Sequence, residues 1–137
     1  MIRGDQALAT LAKCSLFSGI PAPTLASIVP LLNSSQVAAG DPVFLENEPS
    51  DQVFFIHAGE VEILGRGAHQ QQKVLSRLRV FGPGEQFSEF SVLANTPHSS
   101  SAFAVSDCEI LTLDAVSFRK VLHALPRAAE NLARRLG

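Results

Sequence analysis

The stretch FSEFSVLANTPHSSSA, residues 87–102, carries the residues best placed for chemistry. Ser88 to Leu93 can form a short helix, and the first backbone N–H groups of a helix have no partner within it. Such a terminus is a natural phosphate site. ANTP ends the helix, and the chain then enters a strand through His98, Ser99, Ser100 and Ser101. A helix start and a hydroxyl-rich strand entry therefore lie close together, both behind the turn GPGE at 82–85. The chemistry this spacing offers is the holding of a small anion.

Catalytic patterns are weaker. SFRK at 117–120 has the S-x-x-K form of a nucleophile motif, but it lies on an amphipathic helical stretch and lacks the companion S-D-N and K-T-G motifs. His57, His69, His98 and His123 show no H-x-H or H-x-x-x-H pair, so no metal ligand set is visible. His57, at the end of FFIHAG, reads as a packed or rim histidine. GPGEQF does not open a long helix in a βαβ unit and is no dinucleotide fingerprint. These absences make an enzyme an unfavoured reading: no catalytic residue, metal ligand or bound cofactor is expected.

The elements that must position the stretch follow from hydrophobic periodicity. Over 1–35, Leu8, Leu11 and Ala12, and then Leu25, Ile28, Val29 and Leu32, recur at helical spacing, with Pro30 set to end or kink the second run. Over 36–114 the pattern is β. DPVFLE is short and apolar, and VFFI is an apolar run closed by the turn Ala58-Gly59. Val61 and Ile63 alternate with Glu60 and Glu62, as in a strand with one buried face. RGAHQQQ reads as an exposed hairpin tip, KVLSRLRVF as a strand, and AFAVS and CEILTLD as two more. Over 115–137, Phe118, Val121, Leu122 and Leu125 form one helical stripe ended by Pro126, and Ala129, Leu132 and Leu136 the next. Short strands separated by turns predict a small barrel, roll or sandwich between helices, in one domain over 1–137.

Bulk properties bound the partners. With 46% hydrophobic and 18% charged residues in 137, the chain can bury a core, and a net charge of −2 gives no general case for nucleic acid or an anionic membrane as partner. Arg119, Lys120, Arg127, Arg134 and Arg135 face a single Glu130 near the C-terminus, which reads as a solvated helix face suited to the helix dipole. Two distant cysteines, no signal-peptide core and no apolar run of spanning length predict a soluble, cytoplasmic protein.

The same stretch resembles the phosphate-binding cassette of cyclic-nucleotide-binding domains, whose pattern is F-G-E-[LIV]-[AS]-L-[LIMV], three variable residues, then P-R-x-A-[ST]. Phe87, Glu89, Ser91, Leu93, Pro97 and Ser101 match without a gap, while Ser88 replaces the glycine, His98 the arginine and Ser100 the alanine. AAGDPVFLENEPSDQVFFIHAGEVEIL is similar to the family's G-[DE]-x-[IV]-[FI]-x-E-G run, with Asn47 in place of a glycine at a position a left-handed turn tolerates. LFSGIPAPTLASIVPLL and DCEILTLDAVSFRKVL resemble its flanking helices and last strand.

The resemblance implies a mainly β fold with flanking helices, an antiparallel β-roll of the double-stranded β-helix or jelly-roll type, with N-terminal helices at 1–35, the roll at 36–114, a cassette helix near 88–94 and C-terminal helices at 115–137. It implies cyclic AMP or cyclic GMP as ligand. Glu89 would accept from the ribose 2′-hydroxyl, backbone donors near Ser88–Phe90 and Ser99 would hold the cyclic phosphate, and Ser99 would reach the base in a cyclic-GMP-preferring site. His98 and Ser100 complete the candidate set. Against this, Glu89 reads equally well as a carboxylate at a helix N-terminus, and Ser99–Ser101 read better as plain exposed strand residues.

His98 changes the expected chemistry. An arginine offers a fixed charge and a two-pronged fork for phosphate, whereas an unperturbed imidazole is mostly neutral at pH 7. Losing a buried charged partner costs about 2–5 kcal/mol, and an unpaired Glu89 would repel a phosphate. Weak or absent cyclic-nucleotide binding is expected, with rescue by protonated His98 as one version. A ligand-free interaction module, homodimeric through the C-terminal helix, is the alternative. The family couples such a switch to an effector through that helix; which effector, the residues do not specify.

Overall fold

The structure, a computed structural model, describes residues 2–66 and 75–135. Most of the RGAHQQQ tip, His69, the start of KVLSRLRVF and Leu136 fall outside these residues. Helix α1 (Gly4–Lys13), a 3₁₀ turn (Ser15–Phe17), α2 (Ala22–Ala26) and a second 3₁₀ turn (Val29–Leu31) precede the strands. Pro30 lies within that second turn, so the periodic run from Leu25 is broken into two short pieces.

Among the described residues the strands are β1 (Asn33–Val37), β2 (Pro42–Phe44), β3 (Gln52–Ala58), β4 (Val61–Gly65), β5 (Ser76–Phe81), β6 (Gln86–Phe87), β7 (Ser101–Ala104) and β8 (Cys108–Asp114). They form two antiparallel sheets of four, in the orders β1-β8-β3-β6 and β2-β7-β4-β5. The β-roll expectation is met. Helix α3 (Glu89–Ala94) interrupts β6 and β7, and α4 (Ala115–Ala124) and α5 (Pro126–Arg134) close the chain. Among the described residues no helix is long and apolar enough to cross a membrane.

The apolar run VFFI has a simple cause: β3 is buried on both faces. Phe54 and Ile56 join Phe44, Val61, Phe81, Phe87 and Ile110 between the two sheets. Val53 and Phe55 point the other way and pack with Leu11, Phe17, Leu113, Phe118 and Leu132 under the helices. At the β3–β4 turn Gly59 has φ +89°, and a Cβ there would run into the Asp107 carbonyl.

Two readings are corrected. The first strand starts at Asn33, before the sequence pattern suggests, because β1 is an exposed strand paired only with β8 and shows no apolar alternation. In α5 the buried face is Ala128, Asn131 and Leu132, and Ala129 is exposed. Asn131 replaces an apolar residue there because its amide donates to the carbonyls of Leu16 (3.0 Å) and Ser18 (2.9 Å), pinning α5 to the first 3₁₀ turn. Ser117, the serine of S-x-x-K, is a capping partner: its N–H donates to Asp114 Oδ1 at 2.8 Å and its hydroxyl to Oδ2 at 3.1 Å.

Those bonds hold the Asp114 carboxyl below its ordinary value, the Ser117 N–H contributing most. A lowered carboxylate stabilises the fold above its unfolded value and loses that contribution as pH falls through the folded one. Asp114→Ala is expected to cost about 1 kcal/mol at neutral pH. Urea melts should show the gap between variant and parent closing as the solution is acidified.

Candidate ligand site

Between the sheets and α3 lies an open cavity of about 350 Å³, lined by Phe44, Ile63, Arg79, Phe81, Phe87, Ser88, Glu89, Phe90, Ser91, His98, Ser99, Ser100 and Arg135. Its size is at the lower end of the ~300–1,000 Å³ typical of small-molecule sites. All six candidate residues, Ser88, Glu89, Phe90, His98, Ser99 and Ser100, meet on its wall. Ser101 turns away from it: its side chain accepts from the Glu46 N–H at 2.9 Å and is buried.

Ser88 is the N-cap of α3 and stands in the left-handed region, at φ 76° and ψ 2°, with no side-chain cap bond. This conformation costs an L-residue about 1–2 kcal/mol and glycine almost nothing. The first turn of α3 lines the cavity. Ser88→Gly is expected to raise stability by about 1 kcal/mol, read as a higher urea midpoint at unchanged slope. Asn47 occupies its own left-handed turn at φ 73°, as its residue type allows.

His98 stands on the cavity wall as a stacked ring. It is 5% exposed and its ring lies parallel to Phe44, 3.5 Å between centroids at 6°. Burial pushes the imidazole below its ordinary value of 6.5, more strongly than Glu48 and Asp51 pull it up. This opposes rescue by protonation. The sign has a consequence for folding: the unfolded chain binds the proton better, so stability from this group is present above about pH 6.5 and falls as pH drops. His98→Phe, which keeps the stack, should flatten the loss of stability between about pH 7 and pH 5.

Glu89 is 3% exposed and is not left unpaired. Its Oε2 accepts from Arg135 Nη1 at 2.5 Å, and the arginine is only 29% exposed along its side chain. The guanidinium also lies 5.6 Å over the Phe90 ring. Arg135 is therefore not part of a solvated face: it follows directly on α5 and turns back into the cavity. Arg119 is exposed, as the solvated-face reading has it, and also donates to the Val92 carbonyl at 2.9 Å. The second cation missed by the sequence reading is Arg79 on β5, which sits 4.3 Å over Phe81 and meets Glu85 at 3.3 Å. Its signal was faint, a charge alternating with apolar residues along one strand.

Elsewhere the chemistry is quiet. His57 Nδ1 and the Thr10 hydroxyl are 2.8 Å apart, a packed histidine. Cys14 donates to the Thr10 carbonyl at 3.3 Å, and burial, then Glu89 and Glu85, push its thiol up to about 12. Among the described residues no group of three or more His, Cys, Asp or Glu could hold a metal.

This roll, with its cassette helix and cavity, has known relatives. The family model of the cyclic nucleotide-binding domain matches residues 35–124. The chain belongs to that family. It is 28% identical over 124 residues to a CRP-like cAMP-activated global transcriptional regulator of Mycobacterium tuberculosis, covering 90% of this chain and 54% of the regulator. It is 24% identical over 107 residues to a cAMP-dependent protein kinase regulatory subunit of Yarrowia lipolytica, covering 78% of this chain and 26% of the subunit. The crystal structure of the Thermus thermophilus catabolite activator protein superposes with a TM-score of 0.80 at 28% identity, over 89% of this chain and 56% of that one. This member of the cyclic-nucleotide-binding domain family thus has regulatory relatives, and it spans about half the length of the bacterial ones.

Proposed function

We propose that the chain is a non-catalytic regulatory module whose cavity binds cyclic AMP or cyclic GMP weakly or not at all. One observation carries this reading: the residue at the cassette's cation position is a buried imidazole stacked on Phe44, held toward its neutral form. A neutral ring cannot offer the charged fork that a cyclic phosphate needs. The relatives' regulatory names and the capping role of Ser117 support a module without catalysis, and the free, buried thiols of Cys14 and Cys108 suit a reducing, cytoplasmic setting.

Calorimetric titration with both nucleotides at about pH 8 and pH 6 tests the reading. The expected result is weak binding that does not strengthen in acid. Tightening at the lower pH would show His98 acting as a cation after all.

The Arg135–Glu89 pair favours a second reading, a ligand-free interaction module. Glu89, the proposed ribose acceptor, already has its partner from the C-terminal segment. A concentration-dependent dimer in sedimentation, abolished by changes on α5 and unaffected by nucleotide, would support it.

A further inference from the structure

The cavity carries cations other than the residue at the cassette's arginine position: Arg79 and Arg135 both line it. A row of rings runs along its wall: Phe81 to Phe87 at 5.1 Å, Phe87 to Phe44 at 6.1 Å, and Phe44 to His98 at 3.5 Å between centroids. His98 ends the row at the cassette, where Glu48 and Asp51 are the neighbouring charges. Arg79 ends it on the far side, stacked over Phe81. Arg135 joins Arg79 on the lining, and the two also border an adjoining cavity of about 410 Å³ that includes Lys13. Three cations there face Glu85 and Glu89. Arg79 holds Glu85 at only 3.3 Å and its side chain is 54% exposed, so it can turn to a ligand.

We propose that the cavity takes a small, planar, apolar acid, its carboxylate at Arg79 and Arg135 and its ring on the row from Phe81 to His98. Guanidinium forks match carboxylates in pairs of hydrogen bonds, and stacked aromatic faces favour a flat apolar body. A cavity of about 350 Å³ has room for a fused bicyclic ring. The proposal rests on the reading of this cavity as a ligand site that lacks its cassette cation.

The probes are 2-naphthoate and its neutral counterpart 2-naphthamide, followed by competition with the dye 1-anilinonaphthalene-8-sulfonate. The chain has no Trp and no Tyr, so the dye signal is read against a low intrinsic background. Naphthoate is expected to bind at least about tenfold tighter than naphthamide, as a charge-assisted contact implies. Arg79→Gln should cut that preference severalfold, Arg135 keeping the remainder, while leaving naphthamide unchanged. Arg77→Gln, on the same strand but paired with Glu62 and absent from the lining, should keep it. Equal binding of the two probes, a preference undiminished by Arg79→Gln, or no binding of naphthoate up to millimolar concentration would each overturn the proposal. Tight cyclic AMP binding in a parallel titration would instead overturn the weak-nucleotide reading, so the two failures are distinguishable.

Discussion

His98→Arg is expected to raise the affinity for cyclic AMP or cyclic GMP by at least about 30-fold, the lower bound of restoring a buried charged partner worth about 2–5 kcal/mol. The substitution is suited to the site. Phe44 offers a ring face on which a guanidinium can stack, and Glu48 and Asp51 offset its charge in the free protein. The α3 N-terminus, Ser99 and Ser100 already line the same cavity. Calorimetry on parent and variant measures the change. An unchanged affinity would mean that the cavity is closed by another residue, and the strained Ser88 would then be changed to glycine in the same background.

The second large effect concerns the buried pair. Arg135→Met should cost about 2 kcal/mol, seen as a fall in Tm of roughly 8 °C. The figure lies below the ~3–5 kcal/mol of a fully buried pair because the arginine is 29% exposed. It arises mainly from leaving Glu89 without a partner. Adding Glu89→Gln to Arg135→Met should therefore recover about 1 kcal/mol, a coupling typical of residues in direct contact. Strict additivity of the two changes would show that the pair contributes little and that α5 is held by Asn131 and Leu132 alone.

The roll was legible where sequence patterns record their own burial. VFFI marks a strand covered on both faces, and Val61 and Ile63 mark one covered on a single face. The candidate residues were legible because the cassette is one continuous stretch whose ends fold back on a common cavity. What remained hidden depends on partners distant in sequence. β1 carries no apolar signal since it is exposed and exists by pairing with β8. Arg135 meets Glu89 across 46 residues, and only the turn of α4 into α5 brings them together. His98 reads as a weakened cation until Phe44, far upstream on β2, is seen to stack on it. In each case residue type was visible but the neighbour was not. Charge near the C-terminus defaults to solvent in a linear reading.

The central claim is that a stacked, neutral His98 has removed high-affinity recognition of a cyclic phosphate. Isothermal titration of cyclic AMP, and separately cyclic GMP, into the wild-type chain at neutral pH tests it most directly. With an intact site of about 1 μM taken as the reference, losing at least about 2 kcal/mol weakens binding roughly 30-fold, so a Kd weaker than about 30 μM is expected for both. A saturable site tighter than that for either nucleotide would contradict it.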